Sequence, residues 1–545
     1  MFVRALGAAL ALGLGLAGVA VAPAHAADEP AAVKLAIAVP IIVPASADPL
    51  LDADALAQYT SEAGLLTREL DAVIGRPVAL GIDPRIIASI RLLGSTAPAS
   101  ATAWLERLEA APNQTFALAW ADADVTLLTQ SGSGGVPQPE GVDFAIDPAL
   151  FAPAPGTATP QPTSDPAGPD LPTSEEVLAW PYSLTGIAWP RDDTVVATDV
   201  PLIVGSGYTT TIMSSQNLTR EATAGPVSTV DGANILVSDA AVSTALRSAT
   251  GAVLSSDWTP ALAELSVAIA AGSRVQSAAP VLFATLDREI LASGNRLAET
   301  LDMLAADPAV QLVPFSAALG SAASPAAVVD EPQPADRISR AGQMIEGENA
   351  ERAFASVASD PAAINSARRL ELLTLLSAEW AGNLAGWPTA ADAFTTASIE
   401  LRNAVHIVKS SNFLLIADND QYLPITVNNG LTQPATVYVT VKSQSALLAI
   451  DDELVQLDIE AGAQAKVNVP VHSLSNGVVE VTVSLSSRTG APIGPAISSE
   501  VNVQAGWETP AVVAVAIAVV LVFGFGLVRT VLRRRRAEST EVTGD

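Results

Sequence analysis

Residues 507–536 read WETPAVVAVAIAVVLVFGFGLVRTVLRRRR, and this stretch decides how the rest of the chain is organised. The run from Ala511 to Val528 carries no charge. At about 1.5 Å of rise per residue it just spans a hydrocarbon core of roughly 30 Å. Arg529 and the block Arg533, Arg534, Arg535 and Arg536 supply the stop-transfer and positive-inside signal, and Trp507 stands where an interfacial aromatic anchors the outer face. A core helix inside a soluble domain fits poorly with four consecutive arginines beside it. At the other end Arg4 precedes the apolar stretch 5–21, and Ala24-His25-Ala26 forms a small-x-small cleavage site. The sequence therefore predicts a signal peptide over 1–26, a large exported part, a transmembrane helix over 510–528 and a basic cytoplasmic tail over 529–545. That is a single-pass type I protein of the cell membrane.

Composition narrows what the exported part can do. Cysteine is absent, so disulfides and thiolate chemistry play no role. With 57 acidic against 28 basic residues the formal charge is −29, and several of the basic residues sit in the tail. Such a surface repels nucleic acid and anionic headgroups, and more simply it keeps an alanine-rich chain soluble. No second run of about 18 apolar residues lies between the two ends.

Working back from the membrane, residues 412–505 alternate. Val437, Val439 and Val441 are separated by polar residues, as are Val467, Val469 and Val471, and Val479, Val481, Val483 and Leu485. Asn429-Gly430 and Asn476-Gly477 provide turn signals between such runs. This pattern predicts an immunoglobulin- or fibronectin-like β-sandwich standing next to the membrane. Residues 335–408 read as helical, with Met344, Phe354, Val357, Leu370, Leu373 and Leu376 at mixed three- and four-residue spacings. Across 33–330, short apolar strands alternate with helices, as in 34–43, 78–82, 115–119, 186–189, 209–213, 235–237, 281–284 and 310–313. That count suits a (β/α)8-like, glycosidase-like barrel, with an open parallel sheet as the competing layout. The Pro-, Gly-, Ser- and Thr-rich stretch 131–172 interrupts it as a surface insertion, within which Phe144-Ala-Ile-Asp147 reads as a short strand.

Several motifs now look familiar together. Tyr422-Leu-Pro-Ile-Thr-Val-Asn-Asn429 opens the sandwich, and Val501-Asn-Val-Gln-Ala-Gly-Trp-Glu508 closes it against the helix. Gly75-Arg76-Pro77, Gly81-Ile-Asp-Pro84 and Ala103-Trp104-Leu105 lie upstream. With the arginine block, these resemble the actinobacterial envelope proteins grouped as the DUF6049 family. The resemblance implies a single-pass envelope protein whose gene often neighbours the lipid II flippase of peptidoglycan synthesis. It brings no catalytic residues to carry over.

In parallel α/β folds, functional groups gather at the C-terminal ends of strands. That rule selects Asp83, Asp122 with Asp124, Asp192 with Asp193, and Asp239, with Trp120 and Trp189 at matching positions. Acids and indoles around one mouth are what a carbohydrate site requires, and a glycosidase needs two carboxyls roughly 5 to 9.5 Å apart. Each acid also has an ordinary reading as a helix N-cap or loop residue, and each tryptophan as packing. His25, His406 and His472 are the only histidines. They leave a zinc deacetylase without ligands and a Ser–His–Asp hydrolase without its base. Gly205-Ser206-Gly207 is not a phosphate-binding loop, and Asp418-Asn419-Asp420 lacks EF-hand spacing. No metal or cofactor is expected.

These readings point first to a non-catalytic envelope protein that binds a cell-wall glycan or a membrane protein of peptidoglycan assembly. The alternative is an active glycoside hydrolase using two of Asp83, Asp122, Asp192 and Asp239. A pure spacer or adhesion protein is the third class.

Overall fold

The computed structural model describes residues 32–152, 171–275, 281–286, 288, 296–383, 385–409, 413–415, 422–451, 454–503 and 508–538. It shows a mixed α/β body, an antiparallel β region and one C-terminal apolar helix.

The body begins with β1 (Val33–Ile41), whose sequence VKLAIAVPI is apolar on both faces and buried on both, as a parallel strand between layers must be. Helices α1 (Ala53–Tyr59) and α2 (Leu65–Val73) return the chain to β2 (Ala79–Ile82). Helices α3 (Pro84–Leu92) and α4 (Ala99–Glu109) lead to β3 (Thr115–Ala117). The chain then passes through α5 (Val125–Gln130) and α6 (Ser174–Leu178) to β4 (Ile187–Ala188), and through α7 (Asp199–Gly205) to β5 (Thr210–Ser214). Three strands that alternation did not reveal or only partly revealed follow: β6 (Leu218–Arg220), β7 (Val227–Val230) and β8 (Ala233–Ser238). Helices α8 (Ala240–Gly251) and α9 (Ser255–Val275) precede β9 (Val281–Thr285), and α10 (Arg296–Ala306) precedes β10 (Val310–Leu312). After α11 (Phe315–Leu319), β11 (Ala323–Val328) closes this part.

Two sheets result. In the first, β3, β2, β1 and β9 run parallel, and β10 is parallel to the start of β1. The carbonyls of Leu35 and Ile41 serve β10 and β2 on one edge of β1, while that of Ala38 serves the β9 side. So β9 meets β1 directly, where a ring of eight consecutive strands would interpose β10. In the second sheet β4, β5 and β8 are parallel, and β7, β11 and β6 extend it with mixed polarity. Single backbone bonds join the sheets at both margins: Leu184 N to Thr115 O (2.9 Å) and Asp239 N to Phe283 O (2.8 Å). Ala36, Ala79, Phe116, Ile187, Ile212, Leu236 and Phe283, drawn from both sheets, form one enclosed core.

Helices α12 (Ala335–Ala355), α13 (Pro361–Leu375) and α14 (Gly386–Arg402) then pack on the body. Asp360 caps α13 and Pro361 fills its first position, the expected start signal. Met344, Leu373, Trp387 and Phe394 share a core with Trp120 and Leu127, which seats these helices over the ends of the strands. The insertion departs from expectation at Phe144, which lies in a 3-10 turn over Asp143–Ala145, not a strand. Its Glu140 is tied to Arg352 of α12 (2.6 Å). Residues 153–170 lie outside the described part.

The antiparallel region comprises β12 (Val405–Ile407), β13 (Phe413–Leu415), β14 (Tyr422–Asn429), β15 (Ala435–Ser443), β16 (Leu448–Ile450), β17 (Leu454–Ile459), β18 (Gln464–Ser473), β19 (Gly477–Ser486) and β20 (Pro492–Val503). They form two sheets, β12-β14-β18-β16 and β13-β20-β19-β15-β17. The valines named from alternation face inward and share one aliphatic core. Finally α15 (Glu508–Glu538) holds a segment, Ala511–Arg535, long and apolar enough to cross a membrane, and none of its span is buried against protein. Trp507 lies outside the described residues.

Candidate functional site

The candidate acids follow the C-terminal ends of the body strands, and each is already occupied. Asp83 follows β2 and caps α3. Its Oδ1 accepts from Arg85 N (2.9 Å) and from Ala121 N (2.8 Å), and its Oδ2 lies 3.4 Å from Arg85 Nε. The bond to Ala121 pins an unusual turn, since Ala121 (φ 54°) and Asp122 (φ 50°) are both left-handed. That turn aims Asp122 inward, where its Oδ2 accepts from Arg288 Nε at 2.6 Å.

Arg288 is buried as well. It also donates to Pro190 O (3.2 Å) and to Trp189 O, and its guanidinium sits 4.9 Å over the Trp189 ring. Burial pushes the Asp122 carboxyl up to about 6, working against the attraction of Arg288. Burial likewise raises Asp83, opposed by Arg85. Asp124 caps α5 and also accepts from Gln333 (2.8 Å).

Asp192 is only partly buried and pairs with Arg247 Nη2 (2.6 Å); Nη2 also donates to Thr285 Oγ1, and Arg247 Nε to Thr285 O. Asp239 caps α8 through Val242 N (3.0 Å). The capping reading of the sequence thus accounts for Asp83 and Asp239 locally.

The tryptophans do not form a sugar platform. Trp120 is 1% exposed and Trp189 4%. One face of Trp189 is covered by Arg288 and its ring tilts against Phe116 at 6.0 Å. Trp120 is packed in the core, and Trp189, nearly all buried, contributes to the wall of a small cavity.

Over this end lies the segment after α13. Asp124 N donates to Leu376 O (2.7 Å), and Ala123 bridges to Ser377. The short turn Ala378–Gly382 then leaves a cavity of about 200 Å³, walled by Arg191, Asp192, Arg247, Arg288, Trp189 and Glu379. Among the described residues no three acids, histidines or cysteines are grouped to hold a metal.

Sequence reasoning missed the cations Arg85, Arg247 and Arg288 and the acid Glu379. Arg288 falls three residues after β9, so the strand-end rule applied to bases as well as acids would have selected it. Arg247 and Glu379 arrive from helical segments and gave no such signal.

A larger cleft of about 840 Å³ opens between the two sheets of the antiparallel region, lined by Ile425, Val483 and Ile493. Its edges carry Pro424 and Pro495. Lacking N–H groups, these prolines interrupt any ladder an added strand would build.

The pattern of the family of unknown function DUF6049 matches residues 19–539, so the chain belongs to that family. No curated protein matches it. Among solved structures, native alpha-2-macroglobulin from Escherichia coli, spanning domain MG7 to the C-terminus, is similar at 14% identity over 19% of this chain and 17% of that one (TM-score 0.16). WR4, a C. elegans MSP family member, matches at 9% identity over 18% of this chain and 98% of its own (TM-score 0.14). The E. coli chaperone DraB matches at 11% identity over 19% and 55% (TM-score 0.14). Overlaps this small say nothing about function.

Proposed function

We propose that this DUF6049 protein is a non-catalytic, membrane-anchored envelope protein. In this reading a (β/α)-barrel-like body is displayed on an immunoglobulin-like sandwich, with α15 crossing the cell membrane in type I orientation. The mouth of the body binds a wall glycan or a membrane partner in peptidoglycan assembly. Seven parallel strands around one core support the barrel reading, and two largely antiparallel sheets around one aliphatic core support the sandwich reading.

One observation carries the non-catalytic reading. Each candidate carboxyl is spent on a helix cap or an arginine: Asp83 and Asp239 on caps, Asp122 on Arg288, Asp192 on Arg247. A general acid must reach the leaving oxygen of its substrate. Asp122 is 3% exposed and lies beneath the cover from α13.

The hydrolase reading has one observation in its favour. A carboxyl raised to about 6 is poised where a general acid works. The binding reading rests on the polar walls of the mouth cavity, which suit a hydroxyl-rich group. Retention of the detergent-solubilised full chain on insoluble purified wall glycan tests it. Retention that falls in Arg191→Ala and Glu379→Gln supports binding at the mouth. Retention unaffected by both, or absent, rejects the glycan and turns the search to crosslinked membrane partners.

A further inference from the structure

Three of the four exposed large apolar or aromatic side chains in the antiparallel region lie at one end of it. Among the described residues these are Leu474 (54% exposed), Val478 (62%) and Tyr422 (49%), with Leu454 the exception. Scattered exposed apolar residues are ordinary and need no account. Their position is what gives these three meaning.

The register fixes that position. Gly477 pairs with Val503 and Val478 with Asn502, so the start of β19 is level with the end of β20. Ser473, the last residue of β18, pairs with Leu448, and residues 474–476 extend past it as the turn that carries the chain from β18 in one sheet to β19 in the other. Tyr422, the first residue of β14, lies opposite Pro470, three positions back from Ser473 on the same strand. All three therefore occupy the end from which the chain leaves for α15. Only residues 504–507 separate Val503 from Glu508. Five Cα steps reach no further than about 18 Å. The β18–β19 turn and the start of the apolar helix are thus held close together by covalent geometry, whatever the angle between them.

Charge sets the depth. Residues 474–479 read LSNGVV and carry none. The nearest described acids within the antiparallel region stand further back: Asp451 bonds at the level of Pro470 and pairs with His472, and Glu480 faces Glu500 across β19 and β20. A turn with two aliphatic side chains ahead of a ring of carboxylates suits the headgroup layer, with the acids left in water. Tyrosine at the rim is a common interfacial residue.

We infer that the β18–β19 turn, through Leu474 and Val478 with Tyr422 behind them, rests in the interfacial layer of the bilayer that α15 spans. The antiparallel region then sits on the membrane and does not swing freely above it. This rests on the reading of α15 as a membrane-crossing helix.

The natural chain has no cysteine, so single-site labelling is clean. Leu474→Cys, Val478→Cys, Val267→Cys and Ile517→Cys, each carrying an environment-sensitive NBD group, are reconstituted as full chains. The vesicles are phosphatidylcholine with lipid nitroxides placed either at the headgroup or deep in the acyl chain. Val267 lies on the outer face of α9 and is 69% exposed, so its label reports water. The expected result is strong headgroup-nitroxide quenching and a blue shift at 474 and 478, none at 267, and deep quenching at 517. Labels at 474 and 478 that behave like the one at 267 while 517 is quenched overturn the contact. A label at 517 that escapes the deep nitroxide overturns the membrane reading itself, and the contact falls with it.

Discussion

The α/β body and the antiparallel region fill their interiors by opposite means. The core of the antiparallel region is aliphatic. Val437, Val439, Val441, Val469, Val471 and Val481 are all fully buried, and Asn429 is one of few polar side chains among them. The body instead buries Asp83, Arg85, Asp122, Asp124, Asp199 and Arg288 near the ends of its strands. Valine every second residue needs only a pleat to bury it. A buried ion pair needs both partners placed by separate elements, and it returns little stability against a well-packed apolar replacement. What the body gains is a fixed geometry for its unusual turn at Ala121 and Asp122 and a seat for α13 above it.

The contrast has measurable consequences. The largest effect belongs to Asp122→Ala, which removes the buried carboxylate that Arg288 Nε donates to and should cost the body about 3–5 kcal/mol. Calorimetry of the full chain should show the body transition falling while that of the antiparallel region holds. Both moving together would show that the regions do not unfold separately. Next, Leu423→Ala hollows the aliphatic core of the antiparallel region and should cost about 3 kcal/mol, shifting only its transition.

Asn429→Ala should cost about 1–3 kcal/mol. Its amide donates to the carbonyls of Gln433, Ile459 and Glu460, and its oxygen accepts from Leu431 N. Truncation leaves those groups without partners in an otherwise apolar setting.

A pH series separates the regions in another way. Folded Asp122 keeps its proton to about 6, against 3.8 as the ordinary value. Its contribution is therefore complete below the unfolded value and is lost as pH rises through about 6. The body should melt at lower temperature at pH 7 than at pH 5, and Asp122→Asn should flatten that slope. The smallest effect is Asp71→Ala, which removes an exposed pair with Arg107 and should change stability by less than about 1 kcal/mol.

The same contrast explains what the sequence made legible. Alternation around Val437–Val441 and Val479–Leu485 reports burial directly, because one face of each strand meets the core. The C-terminal helix, long and apolar enough to cross a membrane, was equally readable from its length and flanking charge. In the body, β1 and β9 stood out as apolar runs, yet β6, β7 and β11 did not. The stretch Ala323–Val328 alternates between exposed and half-buried positions, but its sequence ASPAAV carries Pro325 and no matching polar–apolar alternation. Nor could order along the chain reveal that β9 pairs directly with β1. At the site, the strand-end rule found the acids and not their partners, since Arg247 comes from α8 and the cover from beyond α13. Pairing across such separations is tertiary information.

The account stands on the claim that the acids at the mouth are structural. The most direct test is release of reducing ends from purified wall glycan by the full chain, with Asp122→Asn and Asp192→Asn measured beside it and their folding checked by thermal melts. The account expects no release from any of the three. Turnover by the natural chain that disappears in a folded Asp122→Asn or Asp192→Asn variant would contradict it and make the body a glycoside hydrolase.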